Sequence, residues 1–140
     1  MSDDRHVSAA LIFVYGSLTT ALDHPMGQRL RWEAELVGRA TVAGRLYRVS
    51  WYPGLKPGED TGDIVHGEVY RLADPDASLA WLDEYEGITR GGLSAGAADE
   101  YVRMLIQARL DDGREVTAWT YLFQPPLPEA ARITDGVWRG

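Results

Sequence analysis

The chain has 140 residues, 45% of them apolar and 25% charged, with a net charge of −7 at pH 7 and no cysteine. These values describe one folded domain with a real core and exclude a disordered tail. The acidic balance and scattered Lys and Arg exclude the cationic face that a nucleic-acid partner needs, and the lack of cysteine excludes disulfide scaffolds, thiol nucleophiles and thiolate metal sites and fits a reducing cytosol.

Residues 1–8 form a polar leader expected to be frayed, with no basic, cleavable signal pattern. The apolar stretch after it is too short to span a bilayer, so a cytoplasmic protein without a membrane partner is expected. From Ala10 the chain turns densely apolar through Ile12, Phe13, Val14 and Tyr15, then stops at Gly16-Ser17. A short apolar run cut by glycine predicts a buried strand entering a turn. Gly16, having no side chain, lets a ligand approach the main chain.

A helix is predicted over Pro25–Leu36, with proline in its first turn, Gly38 beyond its end, and Leu30, Ala34 and Val37 at helical spacing. A strand is predicted over Val42–Trp51. The stretch Tyr52–Gly62, rich in glycine and proline, is expected to be a long loop and a pocket wall. Ile64–Leu72 predicts a strand, with Val65, Gly67 and Val69 on one face and His66, Glu68 and Tyr70 on the other. Asp74-Pro75 predicts a helix start running to about Tyr85, with Leu79 and Leu82 on one face and Gly87 closing it. Gly91–Asp99 is small and Gly/Ala-rich. Tyr101–Leu110 and Glu115–Phe123 alternate as strands, joined by a hairpin turn at Asp111-Asp112-Gly113. A proline-rich loop leads to a tail ending in Val137-Trp138.

About five strands in runs and two helices predict an α+β fold: a mixed sheet or small barrel with helices alongside, in a single domain spanning 1–140. The five tryptophans and seven tyrosines are expected to fill the core and the pocket.

Candidate chemistry narrows by elimination. Ser17 follows a strand and a glycine, but Tyr-Gly-Ser-Leu is not a nucleophile elbow, and no histidine follows His66. His6, His24 and His66 lack metal-ligand spacing, and no phosphate-binding glycine loop occurs. The carboxylates of Leu82-Asp83-Glu84-Tyr85-Glu86-Gly87 remain. Three acids at the negative end of a helix dipole do not serve helix stability. A solvated acidic helix end and a partly buried acid–base carboxyl with a raised pKa both fit this pattern.

In order along the chain, Tyr15-Gly16-Ser17-Leu18, Gly67-Glu68-Val69-Tyr70, Leu82-Asp83-Glu84-Tyr85-Glu86-Gly87, Tyr101-Val102-Arg103 and Ala118-Trp119-Thr120-Tyr121 resemble the signature segments of the gamma-glutamyl cyclotransferase-like (AIG2-like) family, over residues 11–123. The resemblance implies a small mixed β-barrel flanked by helices. It also implies a pocket between the Tyr15–Leu18 turn and Glu86. Glu86, rather than Glu84, corresponds to the family's catalytic glutamate, and Glu84 is assigned to the solvated face. Tyr15, Gly16, Ser17 and Leu18 would hold the substrate's α-amino-acid end, and Tyr101 and Tyr121 would line the pocket. The implied reaction needs no cofactor. The substrate's α-amine attacks its own γ-carbonyl, releasing 5-oxoproline and an amine or amino acid. The alternative is a non-catalytic module of the same fold that binds a small amino-acid-like ligand. The long stretch Gly91–Glu100 departs from the family's compact members.

Overall fold

The structure, a computed structural model, describes residues 10–16, 18–20, 22, 24–58, 62–87 and 100–140. The polar leader, Ser17 and the Gly91–Asp99 stretch lie outside the described residues. In chain order the elements are β1 (Leu11–Val14), α1 (Pro25–Glu33), β2 (Ala34–Arg48), β3 (Pro53–Pro57), β4 (Ile64–Leu72), α2 (Pro75–Tyr85), β5 (Tyr101–Leu110), β6 (Glu115–Phe123), a 3-10 turn (Glu129–Ala131) and β7 (Arg132–Ile133).

Five of these strands close into a barrel in the order β2-β4-β1-β6-β5, with β5 returning to β2 through Ala40↔Leu110 and Thr41↔Arg109. β1 runs parallel to β6 and antiparallel to β4, so the sheet is mixed, as expected. β3 and β7 both extend from the far half of β2, where Leu46 pairs with Leu55 on one side and with Ile133 on the other.

β1 is buried on both faces, which is why its sequence is continuously apolar rather than alternating. Leu11 and Phe13 join a cluster inside the barrel with Val42, Val65, Val69 and Ala118. Ile12 and Val14 join a second cluster outside it with Leu30, Tyr70, Leu79 and Leu82, beneath the two helices. β6 divides in the same way: Ala118 and Leu122 point inward, while Tyr121 and Phe123 belong to the outer cluster. At Gly67 on β4, an added Cβ would lie 2.2 Å from the Val14 carbonyl oxygen and 2.6 Å from the Phe13 ring. The missing side chain is what lets β1 and its Phe13 lie so close.

β4 and α2 have the predicted bounds. Asp74 caps α2 by accepting from the Ala77 N–H at 3.3 Å, and Gly87 ends the helix turn with φ 81°. Replacing Asp74 with Ala is expected to destabilise the protein by about 1 kcal/mol, read as a lowered urea midpoint with unchanged slope. The β5–β6 hairpin also forms as expected. Gly113 N–H bonds to the Leu110 carbonyl at 2.8 Å, with Gly113 in the left-handed region at φ 92°.

Three expectations are corrected. The helix predicted over Pro25–Leu36 ends at Glu33, and Ala34, Leu36 and Val37 belong to β2. Pairing to β4, from Ala34↔Leu72 to Ala43↔Ile64 with a bulge between Leu36 and Gly38, outweighs local helical spacing there. The predicted loop Tyr52–Gly62 contains β3, whose prolines occupy its first and last positions at the end of the sheet path. The aromatic residues do not all fill core or pocket interior: Trp81 and Trp138 are buried, but Trp32 is 88% exposed and Trp51 72% exposed. Among the described residues no helix is long and apolar enough to cross a membrane.

Candidate active site

The end of β1, the C-terminus of α2, the β2–β3 turn and the first residues of β5 converge on a cavity of about 270 Å³. Tyr15, Gly16, Leu18, Glu86, Tyr101 and Tyr121 all line it, so every described residue singled out from the sequence is brought to one place. Ser17 lies outside the described residues. Tyr52 and Pro53, from the stretch expected to wall a pocket, line it too, whereas sequence reasoning missed Trp51, Tyr85 and Glu100. The neighbouring glycine- and proline-rich segment was the available signal for Trp51, and adjacency to Glu86 the signal for Tyr85.

The turn after β1 is pinned from two directions. The Thr19 N–H and hydroxyl both donate to the Gly16 carbonyl, at 3.1 and 2.9 Å. The Thr20 N–H donates to one oxygen of the buried Glu68 at 2.9 Å, and the Thr20 hydroxyl donates to the other. Tyr70 donates its hydroxyl to Glu68 at 3.1 Å. A carboxylate on β4 thus fixes the turn against the barrel wall. Sequence analysis placed Glu68 on the same face as Tyr70 but saw no role for it, since its partner lies 48 positions away. Behind Gly16 stands Pro53, 3.1 Å from where a Cβ would project, so a larger residue here would press on the wall of the cavity.

Glu86 occupies the C-cap of α2, its N–H bonded to the Leu82 carbonyl at 2.9 Å. Glu84, by contrast, is exposed. Burial, and after it the negative charge of Asp83, push the Glu86 carboxyl up to about 7. Of the two sequence-compatible pictures of this helix end, the partly buried carboxyl is the one observed.

Three phenols surround it. Tyr15 donates to the Tyr121 carbonyl, Tyr101 donates to the Pro53 carbonyl, and Tyr121 donates to Asp83 Oδ1 at 2.6 Å. Burial raises all three phenol pKa values well above their ordinary range, and the Glu86 charge adds to this, so each stays protonated. Asp83 is held in turn by Arg103, whose Nε and Nη2 reach its two oxygens at 2.7 and 3.2 Å. The guanidinium lies over the Trp119 ring, 4.4 Å from its centroid. None of the described residues lining the cavity is Lys, Arg or His, and the described residues contain no cluster of three or more His, Asp or Glu placed to hold a metal.

The family profile for "Gamma-glutamyl cyclotransferase, AIG2-like" matches residues 12–140. The chain belongs to this family. Several solved structures share the fold of this AIG2-like protein. An AIG2-like protein from Mus musculus superposes with a TM-score of 0.64 at 23% identity, covering 86% of this chain and 80% of the other. A structure named gamma-glutamyl cyclotransferase gives 0.57 at 23% identity, covering 81% and 66%. YkqA from Bacillus subtilis gives 0.67 at 19% identity; 92% of the present chain is covered, but only 39% of that larger protein. No curated protein matches the sequence.

Proposed function

We propose that this AIG2-like protein is a gamma-glutamyl cyclotransferase, with Glu86 as its acid–base residue. The observation that carries this reading is a partly buried carboxyl, its pKa pushed up to about 7 by burial and the Asp83 charge, facing a pinned glycine turn across a cavity of small-molecule size. A general acid–base group works best when its pKa lies near the working pH.

In the proposed reaction the turn Tyr15-Gly16-Ser17-Leu18 holds the α-amino-acid end of a γ-glutamyl amide through main-chain N–H groups. The chain then folds back so that its α-amine meets the γ-carbonyl carbon. The new C–N bond closes a five-membered ring, and the old amide C–N bond breaks. Glu86 as carboxylate takes a proton from the substrate's ammonium, the attacking nitrogen loses a second proton as the ring closes, and Glu86 passes one proton to the departing nitrogen, so 5-oxoproline and a neutral amine leave and one proton goes to solvent. The nucleophile belongs to the substrate, so holding it in place is a large part of catalysis: well-oriented intramolecular attack reaches effective molarities of ~10⁵–10⁸ M. The three phenols commit their protons to protein acceptors, so Tyr101 and Tyr121 wall the cavity and offer lone pairs to the ammonium. Charge on the γ-carbonyl oxygen then falls to main-chain N–H donors.

The purified protein is expected to release 5-oxoproline from at least one member of a γ-glutamyl compound panel, detected by mass spectrometry. Tight binding of such a compound without product would instead mark a binding module of the same fold.

A further inference from the structure

Trp51 is the one tryptophan among the described residues at the site. It lines the cavity yet is 72% exposed, so core packing does not account for it. The turn between β2 and β3 presents it: the Val49 and Ser50 N–H groups both bond to the Tyr52 carbonyl, at 3.0 and 3.2 Å. The indole meets the Tyr52 ring edge-on at 5.0 Å, and the Tyr52 ring lies 6.2 Å from that of Tyr101. The Tyr52 hydroxyl donates to Glu100 Oε1 at 2.9 Å, which holds its ring in place. An aromatic path therefore runs from the mouth to the chamber that holds Glu86.

If the glutamyl end lies in the Gly16 turn and its γ-carbonyl near Glu86, the substituent on the departing nitrogen points toward this mouth. There it meets aromatic faces and the carboxylate of Glu100, with no basic side chain among the described lining residues. A leaving group carrying its own carboxylate would be repelled by that of Glu100. Resting on the cyclotransferase reading, we infer that Trp51 and Tyr52 form the leaving-group subsite, and that it selects γ-glutamyl amides of amines with a flat apolar body and no carboxylate.

The test compares kcat/KM for γ-glutamyl methylamide, γ-glutamyl phenethylamide and γ-glutamyl-phenylalanine, followed by 5-oxoproline release. The first two differ mainly in the aromatic body, and the last two differ by one carboxylate. Phenethylamide is expected to be the best of the three. In Trp51→Ala its advantage over methylamide should fall about tenfold, the value of one lost aromatic contact and its apolar burial. Trp51→Phe should keep most of that advantage, and circular dichroism should show both variants folded, since the indole is mostly in water. Glu100→Gln should narrow the gap between phenethylamide and γ-glutamyl-phenylalanine. A phenethylamide-to-methylamide ratio within about twofold of wild type in Trp51→Ala, or γ-glutamyl-phenylalanine as the best substrate, overturns the subsite while leaving the cyclotransferase reading intact. No 5-oxoproline from any of the three overturns both.

Discussion

Glu86→Gln is expected to lower 5-oxoproline formation by about 10²- to 10⁴-fold, the usual contribution of a positioned acid–base group, while the protein stays folded. The same substitution should stabilise the protein at neutral and alkaline pH. The wild-type carboxyl titrates at about 7 in the folded chain against an ordinary value of 4.5. Below pH 4.5 it is neutral in both states and costs nothing. Between 4.5 and 7 the unfolded chain ionises while the folded chain does not, so the wild type loses stability as pH rises. Above 7 the loss levels off on the order of 3 kcal/mol. Gln lacks this titration. The thermal midpoint of Glu86→Gln should therefore match wild type near pH 4 and exceed it at pH 8, followed by circular dichroism. In wild type, kcat/KM should fall as pH drops through 7, because the carboxylate is the active base form. Undiminished turnover in Glu86→Gln would remove Glu86 from the chemistry.

Asp83→Ala should cost about 3 kcal/mol of stability. The substitution strips the partner from the bidentate Arg103 pair and the acceptor from the buried Tyr121 hydroxyl. The figure is at the low end for a buried pair, because the Arg103 side chain is 24% exposed. Asp83→Asn is the gentler probe. Its side-chain oxygen can still accept from Tyr121, but the negative charge beside Glu86 is gone. The groups facing Glu86 are then the Tyr15, Tyr101 and Tyr121 phenols, all protonated. Glu86 should titrate lower than in wild type, and the acid limb of the kcat/KM profile should move to lower pH. Burial, the larger cause of the shift, persists, so the limb should remain above 4.5. A limb that does not move in Asp83→Asn would show that the Asp83 charge does not reach Glu86.

Much of the fold is legible because its local signals agree with its long-range ones. Asp74-Pro75, Gly87 and the spacing of Leu79 and Leu82 mark α2 without reference to the rest of the chain. β4, β5 and β6 carry their own alternation, and Gly113 supplies the turn that the hairpin demands. The junction of α1 and β2 is the opposite case. Nothing local separates Glu33 from Ala34, and the boundary is set by β4, whose Leu72 and Arg71 pair with Ala34 and Glu35. β3 was hidden for a related reason: Pro53, Gly54 and Pro57 disfavour a strand, and only the neighbouring edge of β2 makes one of them.

The site divides along the same line. The order of residues determined that Gly16 follows a buried strand and that Glu86 follows a helix, because both depend on neighbours within a turn or two. It also carried enough of the family's spaced segments to align Glu86, rather than Glu84, with the family's glutamate. Tertiary structure alone decided that Glu86 is partly buried against the cavity, that Glu68 anchors the turn through Thr20, that Arg103 and Tyr121 converge on Asp83, and that Trp51 stands at the mouth. Each of these depends on groups far apart in the chain meeting across the closed barrel. Burial and charge, which set a carboxyl's pKa and a ring's exposure, exist only after that closure.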